Sequence, residues 1–525
     1  MTPSPLHARV LLHAERRPEA PAVATPAAAL TYGQLGSRVL ALAGHLAGQG
    51  VGPGARVLVA LPNVAATVVA SLAVQALGAT AVEVNREWPA EVLADIATRT
   101  GAVHAVLWGR DARGWSKSGG PHPFRHLWVV HGGPLPEALS ATFAPVTPAL
   151  LPEDGRVDPA LGDAPGPPIA TGTPAAPALI LFTSGSTGRP RGVVQSHDNV
   201  AANTRSIVEY LGLGPDDRAL VILPLYYCYG RSVLQTHLDV GASLFLDGRM
   251  AFPRVVMESL ASEGCTGFAG VPLTFELLRR QVDVAAMTFP RLRYLTQAGG
   301  AMAPETIAWA RQAFQPAQLF VMYGQTEATA RLSYLPPSRA EEKRGSIGIP
   351  IPGVVLAVVD DAGMELPDGQ IGHLVARGAN VTQGYFEEPE ATAAILHDGW
   401  LWTGDLASRD PEGFFFHQGR SKEILKVGGH RVSPVEIEHV VAEHPDISEA
   451  AVVGAPDALL GEVPVAFVVP RPGRRPEEQD VQRFCRERMP AYRVPARVTV
   501  LGSLPRNEAG KLLRAELVAE ARSRR

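Results

Sequence analysis

Cysteine is scarce in this sequence. Its three cysteines, Cys228, Cys265 and Cys485, lie far apart and without C-x-x-C spacing. That pattern excludes a disulfide framework and a thiolate zinc site, and it suits a reducing cytosol. An excess of one charge is also missing: 48 Lys and Arg stand against 52 Asp and Glu, for a formal net charge of -4. Without a basic surplus there is no footprint for nucleic acid, and no block of like charge forms a tail. No apolar run approaches the roughly 20 residues of a membrane-spanning helix. The opening M-T-P-S-P-L-H-A-R-V has no apolar signal core. The expectation is a cytoplasmic protein with no transmembrane segment. What is present is a chain of 525 residues, 46% of them hydrophobic, which exceeds one ordinary core and implies at least two domains.

One stretch stands apart in composition. Residues 183–192 read T-S-G-S-T-G-R-P-R-G, with two threonines, two serines and three glycines. The apolar run 178–182 precedes it. After it Gly192, Val193 and Val194 return to structure, and His197, Asp198 and Asn199 open an alanine-rich helical segment. Glycines let backbone N–H groups approach an anion, hydroxyls add donors, and Arg189 and Arg191 add positive charge. Polyphosphate is the natural ligand of such a loop. Composition alone also allows a surface linker. The spacing argues against a P-loop, because the lysine of G-x-x-x-x-G-K-[ST] has no counterpart here.

Taken in order, the chain alternates strand and helix. Residues 30–48 are patterned as an amphipathic helix. Residues 56–62 are a buried strand, Asn63 is placed to cap a helix over 65–77, and 80–84 is the next strand. Strand, helix and strand within about 30 residues make a βαβ unit and predict an α/β fold with doubly wound sheets. Residues 103–108 and 126–130 are further strands. Residues 132–177, rich in Pro, Ala and Gly, read as a surface loop. Strands punctuated by Gly and Pro at 345–358 and 372–378 suggest a small β-rich subdomain. Beyond residue 420 about 100 residues remain, the size of a small second domain. There V-S-P-V-E-I-E opens a helix, A-A-V-V-G is strand-like, and 482–488 is helical.

Further places carry candidate chemistry. L-P-L-Y-Y-C-Y-G-R-S holds Tyr226, Tyr227 and Tyr229, which fit either a pocket or a core, and Arg231, which fits either an anionic substrate tail or the surface. Y-L-T-Q-A-G-G-A ends in Gly299, Gly300 and Ala301, a turn on which a flat ligand can lie. L-F-V-M-Y-G-Q-T-E runs a strand into Tyr323, Gly324, Gln325, Thr326 and Glu327. A ring suits adenine, a hydroxyl suits phosphate, and a carboxylate suits a hard cation, since Mg2+ commonly takes one carboxylate plus substrate phosphates. W-L-W-T-G-D ends in Asp405, an acceptor-only group that suits a diol. Each also has a plain reading: core tyrosine, ordinary turn, structural carboxylate, turn aspartate.

The ordered set of T-S-G-S-T-G-R-P-R-G, Y-G-Q-T-E, W-T-G-D, G-R-S-K-E-I-L-K-V-G-G and G-K-L-L-R resembles the adenylate-forming superfamily, acyl-CoA synthetase type, across residues 183–514. Arg191 stands where that family usually has Lys, and Tyr227 where many members have His. The resemblance implies a large N-terminal domain (1–420) and a small mobile α+β C-terminal domain (421–525) with a hinge at Lys422. It implies that Thr183, Ser184, Gly185, Ser186, Thr187, Gly188 and Arg191 hold the ATP phosphates. Gly299, Gly300, Ala301, Tyr323, Gly324 and Gln325 would border the adenine, Thr326 the α-phosphate, and Asp405 with Arg420 the ribose. Glu327 would hold Mg2+. Lys511, Glu327 and Thr183 take the catalytic roles. Tyr226, Tyr227, Tyr229, Gly299 and Gly324 would line the acyl pocket, and Gly428 and Gly429 the pantetheine tunnel.

The implied reaction is ATP-dependent conversion of a carboxylic acid to an acyl-adenylate, with pyrophosphate release, then transfer to a pantetheine thiol, foremost CoA. The same motifs serve an enzyme that loads the phosphopantetheine of a carrier protein, or a non-catalytic nucleotide binder. Peptide-synthetase domains use an Asp in the tyrosine segment to hold an α-amino group. None lies between Pro224 and Ser232, which favours a plain carboxylic acid. A monomer or homodimer is expected.

Overall fold

The βαβ unit seeds the first sheet. Arg56–Ala60 and Thr80–Glu83 pair in parallel, and helix Ala65–Ala76 crosses between them. Every residue of that helix is buried, as its apolar circumference requires. It belongs to a core that joins Val57 and Ala81 of this sheet to Ala219 and Leu244 of the next. The computed structural model describes residues 4–109, 123–130, 149–156, 173–183, 189–506 and 512–523. Among these the first sheet has eight strands, with Arg191–Ser196, Pro177–Thr183 and Thr80–Glu83 side by side and the short strand Gly384–Tyr385 on the outer edge.

The second sheet, 14-stranded among the described residues, is built on a parallel run. That run comprises Arg218–Val221, Ser243–Leu246, Gly267–Gly270, Tyr294–Gln297 and Gln318–Tyr323. It continues antiparallel through Ser333–Leu335 and Ser346–Pro350 into Phe415–Arg420, Trp400–Arg409, Gly372–Gly378 and Val354–Val359. The β-rich part expected from 345–378 is therefore an extension of the main sheet, and this continuity brings Tyr323 beside Asp405. A third sheet of five strands, with helices Pro434–Ala442 and Glu478–Arg486, has its own core and forms the small α+β unit near the C-terminus.

Element limits follow local chemistry. Leu30 belongs to a short strand, Ala29–Thr31, and the helix begins at Tyr32 because Thr31 and Gln34 close a capping box. Asn63 does not cap the next helix, whose N-cap is Val64. Instead its Nδ2 donates to the Leu223 carbonyl at 2.8 Å and its Oδ1 accepts from Leu225 N–H at 3.1 Å. It thus ties the start of the tyrosine segment to the first sheet. Most of the expected surface loop 132–177 lies outside the described residues; within it, Ala149–Leu151 is a strand paired with His126–Val130.

Candidate active site

Strand Gln318–Tyr323 ends at Gly324, and the chain turns through a short helix, Thr326–Ala328. Only glycine fits at 324, since a Cβ would stand 2.0 Å from the Ala330 carbonyl oxygen. Tyr323 Oη donates to Asp405 Oδ2 at 2.6 Å. Asp405 faces Arg420 across the ladder. Arg420 Nε is 3.2 Å from Asp405 Oδ1, and His417 Nε2 is 3.5 Å from the same oxygen. Burial alone would raise the Asp405 carboxyl. His417, Arg420 and the Tyr323 hydroxyl together outweigh burial and hold it below the usual carboxylate range. Its contribution to folding is therefore complete above its unfolded value of 3.8 and lost only as pH falls through the lower folded value. The Tyr323 hydroxyl is pushed upward, by burial first and by Asp405 second.

Glu327 is half-buried, and its Oε1 accepts from Tyr385 Oη at 2.7 Å. Tyr385 sits on the edge strand that pairs with Arg191–Ser196. The Arg191 guanidinium lies 5.5 Å from the Tyr385 ring centroid, and its Nε is 3.3 Å from Glu388 Oε2. Thr183 stands opposite Arg191 in the ladder. Tyr385 therefore joins the Thr326–Glu327 turn to the base of the hydroxyl-rich loop. The Thr326 carbonyl accepts from Gln195 Nε2 at 3.1 Å. Neither arginine of the loop stands alone, because Arg189 pairs with Asp95 at 2.6 Å.

Ser184, Gly185, Ser186, Thr187, Gly188 and Lys511 lie outside the described residues. Gly299, Gly300 and Ala301 form an exposed turn in which Gln297 Nε2 donates to the Gly300 carbonyl at 2.8 Å. Gln325 is half-buried beside Tyr323. Lys422 is exposed on the short helical turn Ser421–Glu423. Gly428 and Gly429, at φ of 55° and 85°, make the exposed turn between Leu425–Val427 and His430–Val432. That conformation excludes most side chains.

Of the three tyrosines, Tyr229 lines a small cavity of about 20 Å³, room for about one water. Tyr226 and Tyr227 are half-buried outside that lining, with ring centroids 4.6 Å apart. Gly299 and Gly324 do not line it either, although Gly324 abuts the backbone of Ala330 and Arg331. Arg231 is neither at the surface nor free for a substrate. It is 2% exposed and ion-paired to Glu83. Reading the sequence missed Tyr385 and His417. His417 left a faint signal, since H-Q-G-R puts it on the strand of Arg420; Tyr385 left none, since its place is set by edge pairing.

No cluster of three or more His, Cys, Asp or Glu suited to a metal occurs among the described residues. Glu327 is a single oxygen donor, which fits a hard cation that arrives with polyphosphate rather than a resident ion.

Comparison with known proteins shows the family. The family model described as AMP-binding enzyme matches residues 11–386, and that described as AMP-binding enzyme C-terminal domain matches residues 436–511. The chain is 32% identical to a sulfoacetate–CoA ligase of Cupriavidus necator, with 98% of each chain covered. It is 32% identical to a feruloyl-CoA synthase of Amycolatopsis, with 96% of each covered. Among solved structures, ATP-bound MatB from Rhodopseudomonas palustris superposes with a TM-score of 0.85 at 27% identity, covering 98% of each chain. The anthranilate CoA ligase AuaEII in complex with anthranoyl-AMP gives 0.86 at 25% identity, covering 100% of this chain and 98% of that one. The chain belongs to the AMP-binding enzyme family, the adenylate-forming superfamily that its motifs resemble.

Proposed function

We propose that this protein is an AMP-forming acid–thiol ligase. It activates a carboxylic acid with ATP, releases pyrophosphate, and passes the acyl group to the thiol of CoA. The observation that carries this reading is the junction of Tyr323, Asp405 and the Thr326–Glu327 turn. Relatives aligned over nearly the whole chain are CoA ligases, which supports it.

A carboxylate is a poor acyl donor because oxide would have to leave. In the first step its oxygen bonds to the α-phosphorus and the bond to pyrophosphate breaks. In the second the thiol sulfur bonds to the acyl carbon and AMP departs. Catalysis of such transfers is chiefly positioning and charge stabilisation. Asp405 accepts from both ribose hydroxyls, with Arg420 beside it. Tyr323, Gln325 and the Gly299–Gly300–Ala301 turn border the adenine. Thr183, Ser184, Ser186, Thr187 and Arg191 hold the β- and γ-phosphates, so Arg191 exchanges Glu388 for phosphate. Thr326 lies at the α-phosphate with Lys511. Glu327 holds Mg2+, which when bound neutralises polyphosphate charge. The domain boundary falls at 420–421, Lys422 is the pivot, and Gly428 and Gly429 leave room for pantetheine. With three free thiols the protein suits the reducing cytoplasm.

ATP–pyrophosphate exchange over a panel of aryl, short, medium, long and amino acids tests this reading. Exchange with one class, and a thioester once CoA is added, is expected. ATP binding without exchange on any acid overturns it. Transfer to a holo-carrier protein but not to CoA would move the acceptor.

Asp405→Asn gives a narrower check. An anionic acceptor is lost, and hydrogen bonds to charged groups carry about 1.5–3 kcal/mol. The ATP dissociation constant measured by calorimetry is expected to rise about 10- to 100-fold. An unchanged affinity would remove Asp405 from the ribose site.

A further inference from the structure

One irregularity in the second sheet sets the aim of a side chain at the site. Asp405 pairs with Arg420 and Leu406 with Gly419, but Ala407 then pairs with His417, so Gln418 is an extra residue in its strand. Residues three apart on a regular strand point to opposite faces. The bulge at Gln418 brings His417 round to the face of Arg420 and Asp405. Local bonds hold the kink. Gly419 takes φ of 103°, a conformation that favours glycine. The Gln418 carbonyl accepts from Ser433 Oγ, and Gln418 Nε2 donates to Ser408 Oγ at 3.3 Å.

The bulge thus gives one carboxylate two flanking donors. A carboxylate offers about four acceptor sites. The Tyr323 hydroxyl closes on Oδ2 at 2.6 Å and Arg420 Nε on Oδ1 at 3.2 Å, which leaves about two, the number a diol needs. His417 Nε2 stops 3.5 Å from Oδ1, beyond the roughly 2.7–3.2 Å of a well-formed N–H···O bond. The Asp405 side chain is 5% exposed, whereas those of His417 and Arg420 are 26% and 46% exposed, so a ligand meets the two flanking donors on its way to the carboxylate. An acceptor-only group satisfies just half of a hydroxyl: its O–H finds an acceptor, but its lone pairs still need a donor. The carboxylate favours the imidazole proton on Nε2, the nitrogen that faces it. His417 therefore aims an N–H where a hydroxyl oxygen would sit.

The geometry points to His417 as a specificity-determining residue for the nucleotide sugar. One ribose hydroxyl enters between Asp405 Oδ1 and His417 Nε2, donating to the first and accepting from the second. The other hydroxyl donates to the carboxylate and accepts from Arg420. The inference rests on the ligase reading and its placement of the ribose at Asp405, and adds the group that reads a single hydroxyl.

The test is calorimetric binding of ATP, 2′-deoxy-ATP and 3′-deoxy-ATP to the full chain, as wild type, His417→Phe and His417→Gln. Each deoxy nucleotide is expected to bind wild type about 10- to 100-fold more weakly than ATP, the scale of a hydrogen bond to a charged group. His417→Phe should weaken ATP about 3- to 10-fold. The penalty for one deoxy nucleotide should shrink by the same factor in this variant, and the penalty for the other should stay, because only one hydroxyl is coupled to the imidazole. Which penalty shrinks tells whether the 2′ or the 3′ hydroxyl is read. His417→Gln, whose amide still donates, should keep part of the coupling. Two unchanged penalties in His417→Phe overturn the inference, and so does an equal shrinkage of both, which would mark a general disturbance of the site. Pyrophosphate exchange on the same proteins keeps the two readings apart. Exchange by wild type with unaltered penalties in His417→Phe removes His417 and leaves the ligase reading standing. ATP binding without exchange on any acid removes the ligase reading, and the hydroxyl comparison then decides the inference alone. No ATP binding by wild type ends both. If His417→Phe does not fold, judged by its thermal melt, His417→Leu carries the comparison.

Discussion

Replacing Lys511 by alanine is expected to slow pyrophosphate exchange by about 10²–10³-fold, the usual cost of removing one preorganised charge-stabilising group. Thioester formation from pre-made acyl-adenylate and CoA should keep most of its rate. The asymmetry follows from the chemistry. In the first half-reaction negative charge moves onto the α-phosphate and the bridging oxygen while pyrophosphate leaves, and a nearby ammonium lowers that barrier. In the second, AMP is already a good leaving group. Described residues flanking this lysine are held in place. Arg506 and Leu512 pair as an antiparallel bridge, and Arg514 Nη1 lies 2.7 Å from Glu438 Oε1. Loss of charge rather than of structure should therefore dominate. Lys511→Arg, which keeps the charge but changes the shape, should fall between. Equal loss in both half-reactions would refute the assignment of two working arrangements of the small domain.

What was legible in the sequence is what short-range patterns encode. The strands at 56–60 and 80–83 are continuous apolar runs bounded by turns, and their parallel pairing follows from the helix between them, whereas the pairing of 80–83 with the distant strand Pro177–Thr183 left no local signal. The Tyr323-to-Glu327 turn is local too, and Gly324 is explained by one close contact. Partners far apart in the chain were not legible. Asn63 looked like a helix cap because caps are local, yet its bonds go to residues 223 and 225. Arg231 fitted either an anionic substrate tail or the surface, and Arg331 drew no reading, because arginine is usually exposed. One proved buried by Glu83, 148 residues away by subtraction of the two numbers, and the other by a strained turn. Tyr385 was silent because a two-residue edge strand leaves no periodicity.

The Arg231–Glu83 pair supports the largest stability prediction. Both side chains are 2% exposed. Ser71 Oγ donates to Glu83 Oε1 at 2.7 Å and accepts from Arg231 Nη1 at 3.2 Å, while Gln75 Nε2 reaches the same hydroxyl at 3.2 Å. Arg231 Nε donates to the Leu225 carbonyl at 3.2 Å. Glu83 and Ser71 belong to the first sheet and its crossing helix, whereas Leu225 and Arg231 belong to the tyrosine segment. Arg231→Ala leaves a carboxylate buried without its counter-charge, and should cost about 3–5 kcal/mol in urea unfolding. Glu83→Ala should cost a similar amount. The double variant Arg231→Met with Glu83→Leu removes both charges and fills the space, so it should recover most of that loss. If it does, the pair contributes little net stability and its work is positional. It holds residues 223–231 in register against the helix, with Gly230 pressed so close that a Cβ would stand 2.3 Å from the Pro224 carbonyl oxygen. The double variant should then fold well yet show a raised KM for the acid and an unchanged KM for ATP, because the wall that carries Tyr229 is no longer fixed. Single variants that unfold within about 1 kcal/mol of wild type would mean that water reaches the pair and that the wall is held by packing alone.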